Sequence, residues 1–219
     1  MRIGILGTGM VGNAIGSKLV TLGHTVTMGS RTAGNEKAMA WATQAGKGAA
    51  AGTFADAAAH GEIVFNCTGG MVSMAAVEAA GVENFAGKIL IDVSVPLDFA
   101  KGFPPALGFR GDDSIGEQLQ RALPATRVVK TLNTVNCNVM VNPALLPGDH
   151  DIFVGGNDAG AKATVTGILK DWFGWRSVVD LGDITTSRGT EAYVLMWVRL
   201  YGAMGGPDFN IRLVRPAGR

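Results

Sequence analysis

Met1-Arg2-Ile3-Gly4-Ile5-Leu6-Gly7-Thr8-Gly9-Met10-Val11-Gly12 is the stretch that decides the fold, with a helically patterned segment from Met10 to Leu22 behind it. Ile3–Gly7 is a short apolar run of the kind a buried strand needs, and Gly7, Gly9 and Gly12 follow it in G-x-G-x-x-G spacing. The first glycine permits a tight turn, the second lets the backbone approach a pyrophosphate, and the third lets the helix pack on the strand; Gly16 extends that close face. Unsatisfied N–H groups at the helix start, together with the helix dipole, then favour phosphate. The same spacing also occurs in turns that hold no ligand. Its place between a first strand and a second one ending about 20 residues later makes dinucleotide binding the reading carried forward.

The end of the second strand, Thr25–Gly29, distinguishes the dinucleotides. Folds selective for NAD place Asp or Glu there to accept from the ribose 2′-hydroxyl, whereas this chain reads Met28-Gly29-Ser30-Arg31-Thr32. Ser30 can donate to a 2′-phosphate, and Arg31 can grip it with a planar fork or stack on adenine. Lys37 follows one loop later as a second cation, or as a solvated helix residue. Two or three charge-assisted hydrogen bonds at about 1.5–3 kcal/mol each favour NADP over NAD by at least about a hundredfold.

Working outward, Glu62–Thr68, Lys88–Ser94 and Arg127–Leu132 are further short apolar runs, separated by segments of helical length. Strands alternating with helices predict an α/β fold: a doubly wound, mostly parallel, Rossmann-like sheet covered on both faces. Ser114-Ile115-Gly116-Glu117 has capping-box spacing ahead of Leu119, Ala122 and Leu123, with Pro124 ending that helix. Past Thr134 an Asn- and Pro-rich crossing leads to a smaller α/β piece, with strands Asp151–Val154 and Ser177–Leu181 around a helix from about Asp158 to Phe173. Residues 1–136 are therefore expected to form the dinucleotide-binding domain and 137–219 a smaller domain completing the acceptor pocket. The last helix, about Thr186–Met204, is apolar nearly all round from Ala192 to Val198, which predicts burial in the core or a dimer interface, or a second role as the wall of a flat hydrophobic pocket. The tail arginines Arg212, Arg215 and Arg219 read as solvated.

Composition closes off other classes. Lys and Arg number 19 against 18 Asp and Glu, and charged residues are 17% of the chain. That supplies no field to draw in nucleic acid or anionic lipid. No apolar stretch reaches the ~20 residues that cross a bilayer. The start lacks the order of a secretory signal, so a cytoplasmic location is expected. Cys67 and Cys137 stand far apart in apolar contexts and read as buried free thiols; no metal site is expected.

Ligands of doubly wound sheets sit outside the carboxyl ends of the strands. Those ends place Thr68, Gly69 and Ser94 near the coenzyme, and Asn133 and Thr134, in Lys130-Thr131-Leu132-Asn133-Thr134-Val135, near the hydride-transfer region as the candidate catalytic pair. The loops there offer no obvious His or Lys acid; Asp92, Asp183 and Glu191 are candidate acids that read rather as caps or surface groups. A carbonyl substrate benefits from a protein acid worth ~10²–10⁴ in rate, whereas exchange between two redox cofactors depends mostly on holding two rings face to face. A second cofactor therefore suits the site better.

The opening run, Gly23-His24-Thr25-Val26, Gly29-Ser30-Arg31, Val128 to Thr134 and the Phe209-Asn210 tail together resemble the F420-dependent NADP oxidoreductase family over nearly the whole chain. The resemblance implies hydride transfer between NADP(H) and the deazaflavin F420, a small-molecule acceptor held in an apolar cleft against the C-terminal piece, in a homodimer. It implies that Thr8, Met10 and Val11 contact the pyrophosphate, that Ser30, Arg31 and Lys37 hold the 2′-phosphate, and that Asn133 neighbours the reacting rings. Two departures stand out: a long Arg31–Lys37 loop, and Gly- and Pro-rich Asp98–Asp113, which reads as an insertion beside the site. NADPH-dependent reduction of a small imine, flavin or ferric chelate, or non-catalytic NADP(H) sensing, are the competing expectations.

Overall fold

A computed structural model describes residues 1–108, 111–214 and 216. Its elements in chain order are β1 (Arg2–Leu6), α1 (Met10–Thr21), β2 (Thr25–Ser30), α2 (Glu36–Ala45), β3 (Ala49–Thr53), α3 (Phe54–His60), β4 (Ile63–Asn66), α4 (Gly70–Ala80) and β5 (Ile89–Asp92). After them come β6 (Leu97–Asp98), β7 (Ala106–Leu107), α5 (Ile115–Ala122), β8 (Arg127–Thr131), α6 (Cys137–Val141), β9 (Asp151–Gly155), α7 (Ala159–Gly167), β10 (Ser177–Asp180) and α8 (Ser187–Met204). Among the described residues one eight-stranded sheet runs in the order β10-β9-β8-β5-β4-β1-β2-β3. All neighbours are parallel except β8 and β9. The chain reverses direction across the sheet between β1 and β4, which is where such sheets open a crevice.

Side-chain alternation explains why both faces are covered. Ile3, Ile5, Phe65, Ile91 and Val129 enter one apolar layer with Ile15, Leu19 and Trp41. Leu6, Val64, Leu90 and Val128 enter the other with Phe54, Phe85 and Leu119. Period-2 strands that are apolar at both parities must be sandwiched between helices. The predicted cap at Ser114 forms, its hydroxyl accepting from Glu117 N at 3.2 Å. Residues 168–173 continue α7 as a wider π turn.

Among the described residues beyond 136, β9 and β10 extend the edge of this sheet. Asp98–Asp113 opens with a small antiparallel hairpin, β6 with β7, and displays Phe99 and Phe103 on the surface. The tail is stitched down: Phe209 stacks on Trp197 with centroids 5.3 Å apart, and Asn210 Nδ2 donates to the Asp151 carbonyl at 2.9 Å. Arg212 is exposed; Arg215 and Arg219 lie outside the described residues.

One expectation is met on a single face only. In α8, Val194 and Val198 are buried, but Leu195, Met196, Tyr201 and Met204 are exposed. The helix lies on the rim of the sheet, so one chain supplies a neighbour for only one side of it.

Candidate functional site

The turn after β1 is built as its glycines require. Gly7 has φ +113°, and a Cβ there would stand 2.8 Å from the Cys67 carbonyl oxygen; one on Gly12 would stand 2.2 Å from the Gly7 oxygen. Any side chain at either position would push α1 away from β1 and β4. Gly9 caps α1 without a side-chain bond, and no acid occupies the first turn. The first helical acceptor, the Gly9 carbonyl, goes to Asn13 N, which leaves the Met10, Val11 and Gly12 N–H groups without helical partners. Across the crevice α4 begins the same way, with Gly69 as an unassisted cap and no acid in its first turn. A Cβ on Gly9 or Gly69 would meet nothing within 4 Å. The start of α1 thus faces open space at the reversal point, whereas the first N–H of α4, on Gly70, donates to the Val95 carbonyl at 3.0 Å. The arrangement fits a dinucleotide pyrophosphate.

At the end of β2, Ser30 is buried and its hydroxyl donates to the Thr32 carbonyl at 2.6 Å. It fixes the turn from which Arg31 projects. Arg31 and Lys37 are exposed, and among the described residues neither forms an ion pair. Lys37 sits in the first turn of α2, which Asn35 caps by accepting from Ala38 N at 3.1 Å. No carboxylate takes the place that an NAD-selective fold fills.

Below the carboxyl ends of β4, β5 and β8 runs a buried polar network that sequence reading missed. Asn66 Nδ2 donates to Ser73 Oγ at 3.0 Å and to Asp92 Oδ1 at 2.8 Å, while Asn66 Oδ1 accepts from Thr68 Oγ1 at 2.7 Å. The Thr68 backbone N–H also donates to Asn66 Oδ1, at 3.3 Å, which fixes the amide's orientation. Asp92 Oδ1 further accepts from the Ser94 N–H at 3.1 Å and hydroxyl at 2.7 Å. Lys130 Nζ reaches Asp92 Oδ2 at 2.7 Å, Glu191 Oε1 at 2.8 Å and the Ser94 carbonyl. Glu191 in turn accepts from the Ile115 and Gly116 N–H groups of α5, at 3.1 and 3.2 Å. Lys130 is 2%, Glu191 3% and Asp92 0% exposed. Burial works against the Lys130 ammonium, yet the Asp92 and Glu191 carboxylates outweigh it and hold the group above its ordinary pKa. Burial pushes the Glu191 carboxyl up, and Lys130 offsets only part of that.

The surface part of the expectation for Asp92 and Glu191 is therefore corrected, while the cap part holds for Glu191, which accepts from the first two N–H groups of α5. Both are interior partners of Lys130, and Glu191 serves α5 from 75 residues away. Asp183 does cap, accepting from Thr185 N at 2.9 Å.

β8 ends in strain. Leu132 has φ +64°, a left-handed conformation that costs a non-glycine residue about 1–3 kcal/mol. It swings Asn133 toward α8, where Nδ2 donates to the Thr190 carbonyl at 2.9 Å. Thr134 is buried, and its hydroxyl has no partner among the described residues. A cavity of about 270 Å³, walled by Pro96, Leu107, Arg188, Glu191 and Ala192, lies between the hairpin and α8. Arg188 holds Glu117 through Nε at 2.8 Å, keeping that carboxyl below its ordinary range despite burial. Neither that cavity nor a roomier hollow of about 340 Å³ near His150 and Trp175 is lined by a nominated coenzyme-binding or catalytic residue. Thr68 and Ser94 thus join one network, Asn133 and Thr134 stand at its edge, and Arg31 and Lys37 lie apart at the β2 end.

Cys67 and Cys137 are free but only partly buried, so full burial is not met; desolvation still pushes both thiols up. Among the described residues no helix is long and apolar enough to cross a membrane.

Fold, glycine turn and the uncapped start of α1 define a dinucleotide-binding protein of the doubly wound class. The family described as coenzyme F420-dependent NADP oxidoreductases matches residues 2–96. A crystal structure of a candidate F420-dependent NADP reductase from Arthrobacter sp. FB24 superposes with a TM-score of 0.93 at 47% identity, over 98% of this chain and 100% of that one. The chain belongs to this family. The F420-dependent NADP reductase of Methanocaldococcus jannaschii is 34% identical over 119 residues, 54% of this chain and 52% of that protein, so the chain matches about half the length of that curated relative. A reductive aminase from Aspergillus terreus, solved with NADPH and ethyl levulinate, shares the fold at 21% identity and a TM-score of 0.65, over 93% of this chain and 62% of that one.

Proposed function

We propose that this chain is an oxidoreductase that passes a hydride between NADP(H) and a second redox cofactor, the deazaflavin F420. The observation that carries the reading is the commitment of the acids beneath the crevice: Asp92, Lys130 and Glu191 are consumed by one another and by backbone donors. No proton donor is left among them to serve a carbonyl or imine, so the site suits exchange between two rings held in contact. The family assignment and the named relatives support NADP as coenzyme and F420 as acceptor.

In this reading Thr8, Met10 and Val11, in the turn of Gly7, Gly9 and Gly12, take the pyrophosphate on their backbone. Ser30 shapes the turn from which Arg31, with Lys37, pairs with the 2′-phosphate. Thr68, Gly69 and Ser94 line the nicotinamide ribose, and Asn133 and Thr134 face the ring. Bound NADP(H) gives up the hydride from its nicotinamide when reduced and takes it back when oxidised. Residues 137–219 complete the acceptor pocket through Thr190, Glu191 and Ala192. The exposed apolar side of α8, with Leu195, Met196, Tyr201 and Met204, supports a homodimer, and the reading includes a cytoplasmic location.

Stopped-flow absorbance tests the acceptor. Mixing enzyme, NADPH and F420 is expected to bleach the deazaflavin, and NADPH binding without bleaching removes F420. One observation favours a second reading, reduction of a small imine: the Tyr193 hydroxyl on α8 is buried without a partner, so a proton donor is available there. NADPH oxidation by an imine panel that is lost in Tyr193→Phe, with F420 inert, would establish it.

A further inference from the structure

The proton inventory of the buried cluster is fixed by its neighbours. Asp92 Oδ2 faces Lys130 Nζ, and Oδ1 faces Asn66 Nδ2, the Ser94 N–H and the Ser94 hydroxyl, of which only the hydroxyl can also accept. Both oxygens of Glu191 face donors only: Lys130 Nζ and the Ile115 and Gly116 N–H groups. A proton on Asp92 Oδ2 or on either Glu191 oxygen would displace a bond from a nitrogen donor, so the geometry favours both carboxyls ionised, with Lys130 between them as an ammonium. Two negative charges and one positive leave a net charge of −1 in a desolvated place. The flanking Arg188–Glu117 and Arg121–Asp113 pairs each sum to zero.

This charge lies at the carboxyl ends of β5 and β8, Glu191 walls the cavity between the hairpin and α8, and the preceding residue, Thr190, holds Asn133 through its carbonyl. The nicotinamide ring is neutral in NADPH and carries a positive charge in NADP⁺. We propose that Asp92 and Glu191 act as positioning residues through their field: the uncompensated negative charge of the cluster favours the oxidised coenzyme and so biases the site toward hydride donation by NADPH. The inference rests on the NADP reading above. A unit charge that stood on the order of 10 Å from a bound ring, in a medium of effective dielectric about 20 to 40, would change the relative affinity of the two redox forms roughly four- to fifteenfold.

The test is the ratio Kd(NADPH)/Kd(NADP⁺), measured by titration calorimetry on the full chain as wild type, Glu191→Gln and Asp92→Asn. Each variant removes one negative charge from a different element, α8 or β5, and each is expected to lower the ratio four- to fifteenfold. A purely structural role would weaken both ligands by the same factor; an unchanged ratio in the folded variants overturns the proposal. Should neither variant fold, the wild type decides, since it is expected to hold NADP⁺ at least as tightly as NADPH, and a clear preference for NADPH refutes the bias. Failure of the wild type to bind either form sinks the coenzyme reading itself.

Discussion

Replacing Lys130 with Met strikes the structure where its charges are most concentrated. The substitution keeps most of the aliphatic volume in β8 but removes the ammonium that sits 2.7 Å from Asp92 and 2.8 Å from Glu191. Asp92 keeps its bonds from Asn66 and Ser94, and Glu191 its two backbone donors, but two carboxylates then share the interior with no counter-charge. Breaking a buried ion pair from one side costs about 3–5 kcal/mol. For a chain of this size about 2–4 °C of Tm goes with each kcal/mol, so Lys130→Met is expected to melt about 6–20 °C lower. The loss has a pH signature. Burial already raises the Glu191 carboxyl and Lys130 lowers it. Without the ammonium its folded-state pKa stands further above the unfolded value, so the native state binds more protons and stability falls as pH rises through that range. Urea unfolding followed by circular dichroism should therefore show a deficit at pH 8 that narrows toward pH 5, with an unchanged m-value. A deficit below about 1 kcal/mol, or one equal at both pH values, would refute the account of Lys130 as the counter-charge of two ionised carboxylates.

Two further outcomes can be checked independently. Arg31→Ala is expected to raise the NADPH dissociation constant at least about tenfold, the effect of losing one charge-assisted pair at an exposed site, while leaving NADH binding unchanged; equal losses for both in parallel fluorescence titrations would show that Arg31 does not read the 2′-phosphate. The Arg121 guanidinium, with Nη1 and Nη2 at 3.0 and 2.7 Å, holds the Asp113 carboxyl down to about 2. That depressed value contributes stability which is present above the ordinary Asp range and lost as pH falls from about 4 toward 2. The pair is largely exposed, so the contribution is small. Acid unfolding of Asp113→Asn should lack that part of the slope, and a curve superimposable on wild type would contradict the assignment.

Strands with β-branched runs and the Gly7–Gly12 turn were legible because each carries its signal locally. β3 was not. Its sequence, Ala49-Ala50-Ala51-Gly52-Thr53, has no strand propensity, and the region reads only as Ala- and Gly-rich. It pairs because β2 offers a free edge in register, Val26 with Ala49 through Ser30 with Thr53, and because small side chains let α3 lie close. The buried cluster was hidden for a related reason. Lys130 falls inside the apolar run Arg127–Leu132, and Asp92 inside Lys88–Ser94, so each reads alone as an exception. The available signal was their parity: each lies near the carboxyl end of a central strand, and the register pairs Asp92 with Lys130. Two opposite charges at matched positions of adjacent buried strands have to meet. Glu191 carried no such signal, because only tertiary docking brings α8 to β8.

That docking accounts for the strained backbone after β8. Thr190 and Glu191 are consecutive on α8, and they engage Asn133 and Lys130 respectively, on either side of the left-handed Leu132. A strained turn persists only when its surroundings over-determine it; here a hydrogen bond grips one side and a buried ion pair the other. The Leu132 side chain is itself locked in the core. Anything that loosens the Lys130–Glu191 contact therefore also frees the turn that presents Asn133 to the crevice. The stability of the cluster and the geometry of the candidate hydride-transfer site are thus coupled through three residues of one strand end.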